Sequence, residues 1–193
     1  MEERGEPMRF QVKANTPDTM DDFLEFFEQR AFRDNPEWAG CYCLHPYHND
    51  EEWETANPRE NRIEAMVRLA QGRLSGYLGY LDGKAIAWIA IGKRKSYLRY
   101  TDLVNEEDQA KSIYSITCIT IDPEFRNQGI ATALLERVIA DLRLHEVDIL
   151  EAYPMDKPAS NAHQHRGPIS LYQHAGFKIV DQVGIFTRMR KQL

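Results

Sequence analysis

Apolar and polar positions alternate along this chain with two different periods, and the switches between them divide it into elements. Residues 10–13 have strand composition, after which Thr16 or Asp18 heads an apolar series, Phe23, Leu24, Phe26, Phe27 and Ala31, whose spacing predicts a helix. Residues 59–71 carry Ile63, Met66, Val67 and Ala70 at helical spacing, and Gly72 follows as a carboxyl-terminal cap. Two apolar runs, 77–81 and 85–91, are joined by Asp82-Gly83, the strongest short-range signal for a hairpin. A polar excursion over 93–111 leads to residues 113–121, rich in β-branched side chains and stopped by Asp122-Pro123, which predicts a central strand.

The pattern then becomes helical over 129–145, with Leu134, Leu135, Val138, Ile139 and Leu142 on one face, and returns to strand composition over 147–153. Strand, helix and strand make a crossover unit. Residues 168–175 predict a short helix with Pro168 at its first position and Gly176 just past its end, and 177–180 and 185–189 predict closing strands. The expected fold is α/β, a mixed sheet flanked by helices. No repeat or low-complexity tract interrupts it, so residues 1–193 read as one domain.

Residues 34–57 break the periodicity. Trp38, Tyr42, Tyr47 and Trp53 stand there among charged and turn residues, which reads as an ordered insertion. Asp50, Glu51 and Glu52 with Trp38, Tyr42, Trp53, Tyr97 and Tyr100 have the chemistry of a pocket for a cationic, amphipathic amine, because carboxylates and ring faces attract cations. They also fit a solvated rim over a packed insertion, and both readings stay open. Cys41-x-Cys43-x-His45-x-x-His48 holds zinc-ligand residue types, but a single-residue gap between cysteines strains a tetrahedral site, and no metal is expected.

A length of 193 residues fits one domain with a sizeable core. The net charge of −6 argues against a phosphate-backbone partner, so no nucleic acid is expected. No apolar run is long enough to cross a bilayer, and the opening MEERGEPMRF is charged where a signal peptide is apolar, so no membrane partner and a cytoplasmic location are expected. Three cysteines, two of them one residue apart, read as reduced thiols.

The chemistry concentrates at Arg126-Asn127-Gln128-Gly129-Ile130-Ala131, where a strand has ended and an amphipathic helix begins. A helix start offers unpaired N–H groups and the positive end of the dipole, and a glycine there lets phosphate oxygens approach. The stretch from Ile119 to Ala131 resembles the acetyl-CoA motif of the GNAT acyltransferases, whose pattern is Arg or Gln, two residues, Gly, one residue, then Gly or Ala. Leu171-Tyr172-Gln173-His174-Ala175-Gly176-Phe177 is similar to the family's second hallmark, a short helix bearing Tyr and ending in Gly-Phe.

That resemblance implies a single GNAT-like domain using acetyl-CoA as cosubstrate. Arg126, Asn127, Gln128, Gly129, Ile130 and Ala131 would hold the pyrophosphate, and the main chain of Ile119 and Ile121 would meet the pantetheine arm. Tyr172 would protonate the departing thiolate, a role suited to a phenol of pKa ~10. The acceptor would be the primary amine of a small molecule, attacking directly, with a homodimer among the assemblies open to the chain. The chain departs from the pattern at two places: Ser115 stands where some members place a Glu base, and His165 where the family often has Asn. Glu151 reads either as a replacement base or as a surface carboxylate. Asn161, His163, Gln164, His165 and Arg166 read as a polar loop facing solvent or substrate. Cys118 reads as a core thiol rather than a nucleophile. The competing reading is a non-enzymatic acyl-CoA sensor that kept the pyrophosphate turn and lost turnover.

Overall fold

The computed structural model describes residues 10–103, 108–157 and 164–193. Strand β1 (Phe10–Ala14) leads into helix α1 (Met20–Gln29). The insertion that follows is a chain of short turns, with 3-10 helices at Pro36–Cys41 and His45–Tyr47 and a two-turn helix α2 (Asp50–Thr55). Asn49 caps α2 by accepting from the Glu52 amide, while the Glu52 side chain returns to the Asn49 amide, a reciprocal box that starts a helix too short to show periodicity. Helix α3 (Pro58–Ala70), β2 (Gly76–Leu81), β3 (Lys84–Lys93), β4 (Ile113–Ile121), α4 (Ile130–Leu142), β5 (Ile149–Ala152), α5 (Ile169–His174), β6 (Lys178–Val183) and β7 (Phe186–Gln192) complete the order.

The strands form a single seven-stranded sheet in the order β1-β2-β3-β4-β5-β7-β6. Its pairings are antiparallel except β4 with β5, which run parallel across the α4 crossover. Helix α4 covers one face, setting Leu134, Leu135, Val138 and Ile139 against Ile86, Ile89, Ile116 and Ile119. Helices α1 and α3 cover the other, with Phe23, Phe26, Phe27, Ala65 and Leu69 packed on Leu78, Tyr80, Trp88 and Ala90. Because both faces are covered, the interior of β3 reads as an unbroken apolar run rather than an alternating one.

Two features differ from the expected pattern. Helix α3 forms where its periodicity predicts, but its packed face is rotated: Asn61, Ala65 and Leu69 are buried with Met66 partly so, whereas Ile63 and Val67 are 54% and 46% exposed. Asn61 belongs to the packed face because its amide donates to the Gly40 carbonyl at 2.8 Å, tying the helix to the insertion. Pro168 caps α5 rather than opening it, its φ of −76° and ψ of 152° being extended. The expected polar loop is described from Gln164 onward, and Asn161 and His163 lie outside the described residues. Among the described residues no helix is long and apolar enough to cross a membrane.

Candidate active site

The sheet opens at its one parallel pairing. β4 runs to Ile121, but its register with β5 ends at Ile116 opposite Ala152, so the last residues of β4 are not paired with β5. A bulge at Thr117 shifts the register with β3 at the same level. Beyond it, the Asp122 amide donates to the Ile86 carbonyl at 2.8 Å, which leaves Ile119 and Ile121 turning their main chains away from β3 and into the opening.

At the end of β4 the chain makes a short 3-10 turn and enters α4 through Asn127 at φ 60° and Gly129 at φ 79°. Both are left-handed, a conformation that tilts successive N–H groups into one concavity. Gly129 is the N-cap of α4, no side chain caps the helix, and its first turn holds no acidic residue. A Cβ on Gly129 would meet nothing within 4 Å. An uncapped 13-residue helix whose first amides face open space beside a glycine fits a diphosphate.

This helix start borders a cavity of about 330 Å³ lined by Ile119, Ile121, Arg126, Asn127, Gly129, Ile130 and Ala131, with Gln164, His165, Gly167 and Pro168 across from them. Gln128 is the remaining motif residue, and its side chain turns to the Glu124 carbonyl at 2.8 Å, leaving its main chain to the turn. Arg126 uses its guanidinium internally: Nε donates to the Ile121 carbonyl at 3.1 Å and Nη1 to Asp34 at 2.5 Å, which holds the Asp34 carboxyl below its usual range. The Ile119 amide donates to the His165 carbonyl at 2.6 Å, so the 164–168 strap crosses the opening. The Ile119 carbonyl and the Ile121 amide are the main-chain groups left to meet an extended ligand there.

Tyr172 lies on α5 beneath that strap, wholly buried, and its hydroxyl donates to the Arg166 carbonyl at 2.6 Å. Burial first, and then the neighbouring Cys118 thiol, raise its pKa above the ordinary phenol value. A Cβ on Gly167 would stand 3.1 Å from the Tyr172 hydroxyl, so this glycine is what lets the strap lie against the phenol. Ser115 and Glu151 lie apart from both. Ser115 Oγ is 3.1 Å from the Tyr153 hydroxyl, which donates to Glu151 at 2.6 Å. Glu151 also accepts from Arg190 at 2.6 Å and from Arg94 at 3.1 Å and is fully buried, so it is not a surface carboxylate and its oxygens are taken up by these partners.

A second cavity, of about 470 Å³, adjoins the first, and Phe32 and His165 line both. Its walls come from the insertion, through Trp38, Cys41, Cys43, His45 and Trp53, and from Thr117, Cys118, Arg166 and Phe186. Trp38 meets His165 edge to face at 5.8 Å, and Trp53 meets His45 in the same way at 5.2 Å. The acidic residues expected beside these rings go elsewhere: Asp50 pairs with Arg99 at 2.6 Å and Glu52 is spent on the α2 cap. Tyr42 is core, and Tyr97 and Tyr100 belong to a separate buried cluster with Tyr153. Burial, and then Arg99 and Arg166, push the His45 imidazole down to about 4, so it is neutral at pH 7. His48 is held by Glu64 at 3.0 Å, and among the described residues no three metal-ligand side chains converge. Thr117 and Phe186 carry no sequence signal for this cavity, and Arg166 stands only within a loop read as facing solvent or substrate; the bulge, the start of β7 and the strap bring the three there.

Related structures share this architecture. The PaiA N-acetyltransferase from Thermoplasma acidophilum in complex with coenzyme A superposes with a TM-score of 0.58 at 16% identity, covering 96% of this chain and 100% of that one. An acetyltransferase from Thermus thermophilus gives 0.57 at 14% identity over 95% and 97% of the two chains. The yncA protein from Salmonella typhimurium, with its cofactor acetyl-CoA, gives 0.53 at 15% identity over 95% and 94%. No curated protein matches the chain in sequence. The family model for the acetyltransferase (GNAT) family matches residues 17–177, spanning both motifs and the splayed strands between them, and the chain belongs to that family.

Proposed function

We propose that this chain transfers an acetyl group from acetyl-CoA to the primary amine of a small molecule by direct attack. The observation that carries the reading is the pair of adjoining cavities, one beginning at the uncapped start of α4 and one enclosed by the insertion, with Phe32 and His165 common to both. Acetyl-CoA supplies the activated acyl group. The chain's part is to take the diphosphate on the amides of the 126–131 turn and the arm on the Ile119 carbonyl and Ile121 amide. On this reading the thioester would lie towards the Thr117 bulge, beside the second cavity, which would take the amine.

As the new carbon–nitrogen bond forms and the carbon–sulfur bond breaks, Tyr172 gives its proton to the sulfur. It does so by exchanging its present acceptor, the Arg166 carbonyl, for the thiolate. The proton shed by the amine nitrogen leaves through water, which also restores the phenol. The phenol is protonated throughout the physiological range and so has a proton to give, while burial makes it a weaker acid, so the role depends on the exchange of partner. Thiol release from acetyl-CoA across a panel of primary amines tests the reading. Turnover of at least one amine with intersecting initial-velocity lines is expected. Parallel lines would indicate an acyl-enzyme and overturn direct attack, and saturable acetyl-CoA binding without release for any amine would make the chain a sensor.

A further inference from the structure

We propose that the acceptor taken by the second cavity also carries a carboxylate, which the guanidinium of Arg166 binds, so that the substrate is an amino acid-like amine with an apolar body. The proposal rests on the transfer reading above and narrows it. Arg166 is 7% exposed and lies on the cavity wall with its guanidinium 4.1 Å from the centre of the Phe186 ring. Nη1 donates to the Tyr100 hydroxyl at 2.6 Å, while the buried Nε has no hydrogen-bond partner.

The other buried guanidiniums set the standard. Arg94 pairs with Glu151 and Asp108, Arg188 with Asp181, and Arg30 with Glu25. Arg166 has no carboxylate within ion-pairing distance among the described residues, although an unpaired buried charge is costly. No carboxylate in its surroundings supplies the missing charge: His45 is neutral, Arg99 is taken by Asp50, and Glu37, the carboxylate on the lining, is exposed. The Cys118 thiol on the same wall has its pKa lowered first by a hydrogen bond with Cys43 and in part by Arg166 itself. A planar carboxylate matches the side-on donor that Nε presents and restores neutrality. The walls formed by Phe32, Trp38, Trp53 and Phe186 would take an apolar or aromatic body.

The test separates carboxylate binding from acetyl transfer. With coenzyme A present to fill the first cavity, calorimetry compares 3-phenylpropanoate with its neutral isostere 3-phenylpropanamide on the wild-type protein, Arg166→Gln and Arg166→Lys. The wild type should prefer the carboxylate by about tenfold or more, as expected for a charge-assisted bond, and Arg166→Gln should bind the two within about twofold. Equal wild-type affinities overturn the proposal, as does no binding of either probe at about 10 mM or a preference that survives in Arg166→Gln. If circular dichroism shows that Arg166→Gln does not fold, the decision rests on the wild type and Arg166→Lys: the preference must be present in the first and reduced in the second. Thiol release with phenylalanine and with 2-phenylethylamine is measured in parallel. Failure to acetylate either or any other amine counts against the transferase reading, whereas equal rates with an intact carboxylate preference in binding count against carboxylate-directed catalysis.

Discussion

Tyr172 keeps its hydroxyl on the Arg166 carbonyl and out of solvent, so changing it to Phe removes one donor and little packing. Tyr172→Phe is expected to lower kcat and kcat/KM together by about 10²-fold while acetyl-CoA affinity changes little, measured where chemistry limits the rate. An unchanged kcat would assign the phenol to holding the strap alone. At Gly129, where the φ of 79° and the open space coincide, Gly129→Glu should abolish acetyl-CoA binding in calorimetry while circular dichroism keeps the native spectrum. The carboxylate would enter the diphosphate's place and set like charge at a helix start suited to anions. The local setting of both, Gly129 at a helix start and Tyr172 on a short helix, was legible in the sequence because each follows from its own neighbours. Arg166 was not, since nothing in a Gln-His-Arg-Gly-Pro segment says that its arginine is buried and short of a counterion.

At the scale of elements, β5 owes its place to an unusually polar arrangement. Glu151 on β5 is held by Arg94, Arg188 and Arg190, and Asp108 by Arg94 and Arg190, all largely buried. Removing one partner of such a group leaves charge uncompensated, so Glu151→Gln should lower unfolding stability by about 3–5 kcal/mol in urea titrations at neutral pH. Burial would raise the Asp108 carboxyl, but the hydrogen bonds from Arg190 and Arg94 outweigh it and hold it below its usual range. A carboxylate lowered in the folded state adds stability above its unfolded pKa of about 3.9, and that contribution is lost as pH falls through the folded value. The stability lost in Asp108→Asn should accordingly be largest at neutral pH and shrink as pH falls through that lowered value, read in the same urea titrations. Hydrophobic period located the inner strands and the long helices, because each buries a continuous face, whereas the edge strands β1 and β6 are largely exposed. It misplaced the packed face of α3, where a hydrogen bond to Gly40 outweighs the apolar count, and it could not resolve an insertion made of 3-10 turns and one short capped helix.

For the molecule as a whole, one sheet covered on both faces holds the two cavities at the level where its parallel pair parts. One wall of the first was readable because residues 119–131 are contiguous in sequence, whereas Phe32 and the strap facing it join only in the fold. The second was not: it joins the insertion to β4 and to the strap, segments brought together only by the finished fold. The three tryptophans fall on different sides of this division. Trp88 is fully buried and donates to the Cys43 sulfur at 3.2 Å, whereas Trp38 and Trp53 stand on the walls of the second cavity. The protein thus carries its own optical probe. Emission from Trp88, shielded from solvent and in contact with a thiol, forms a steady background. Trp53 reports on the acceptor side, and Trp38, edge-on to the histidine that borders both cavities, reports on either one, so the order in which the two ligands arrive can be followed by fluorescence without a label.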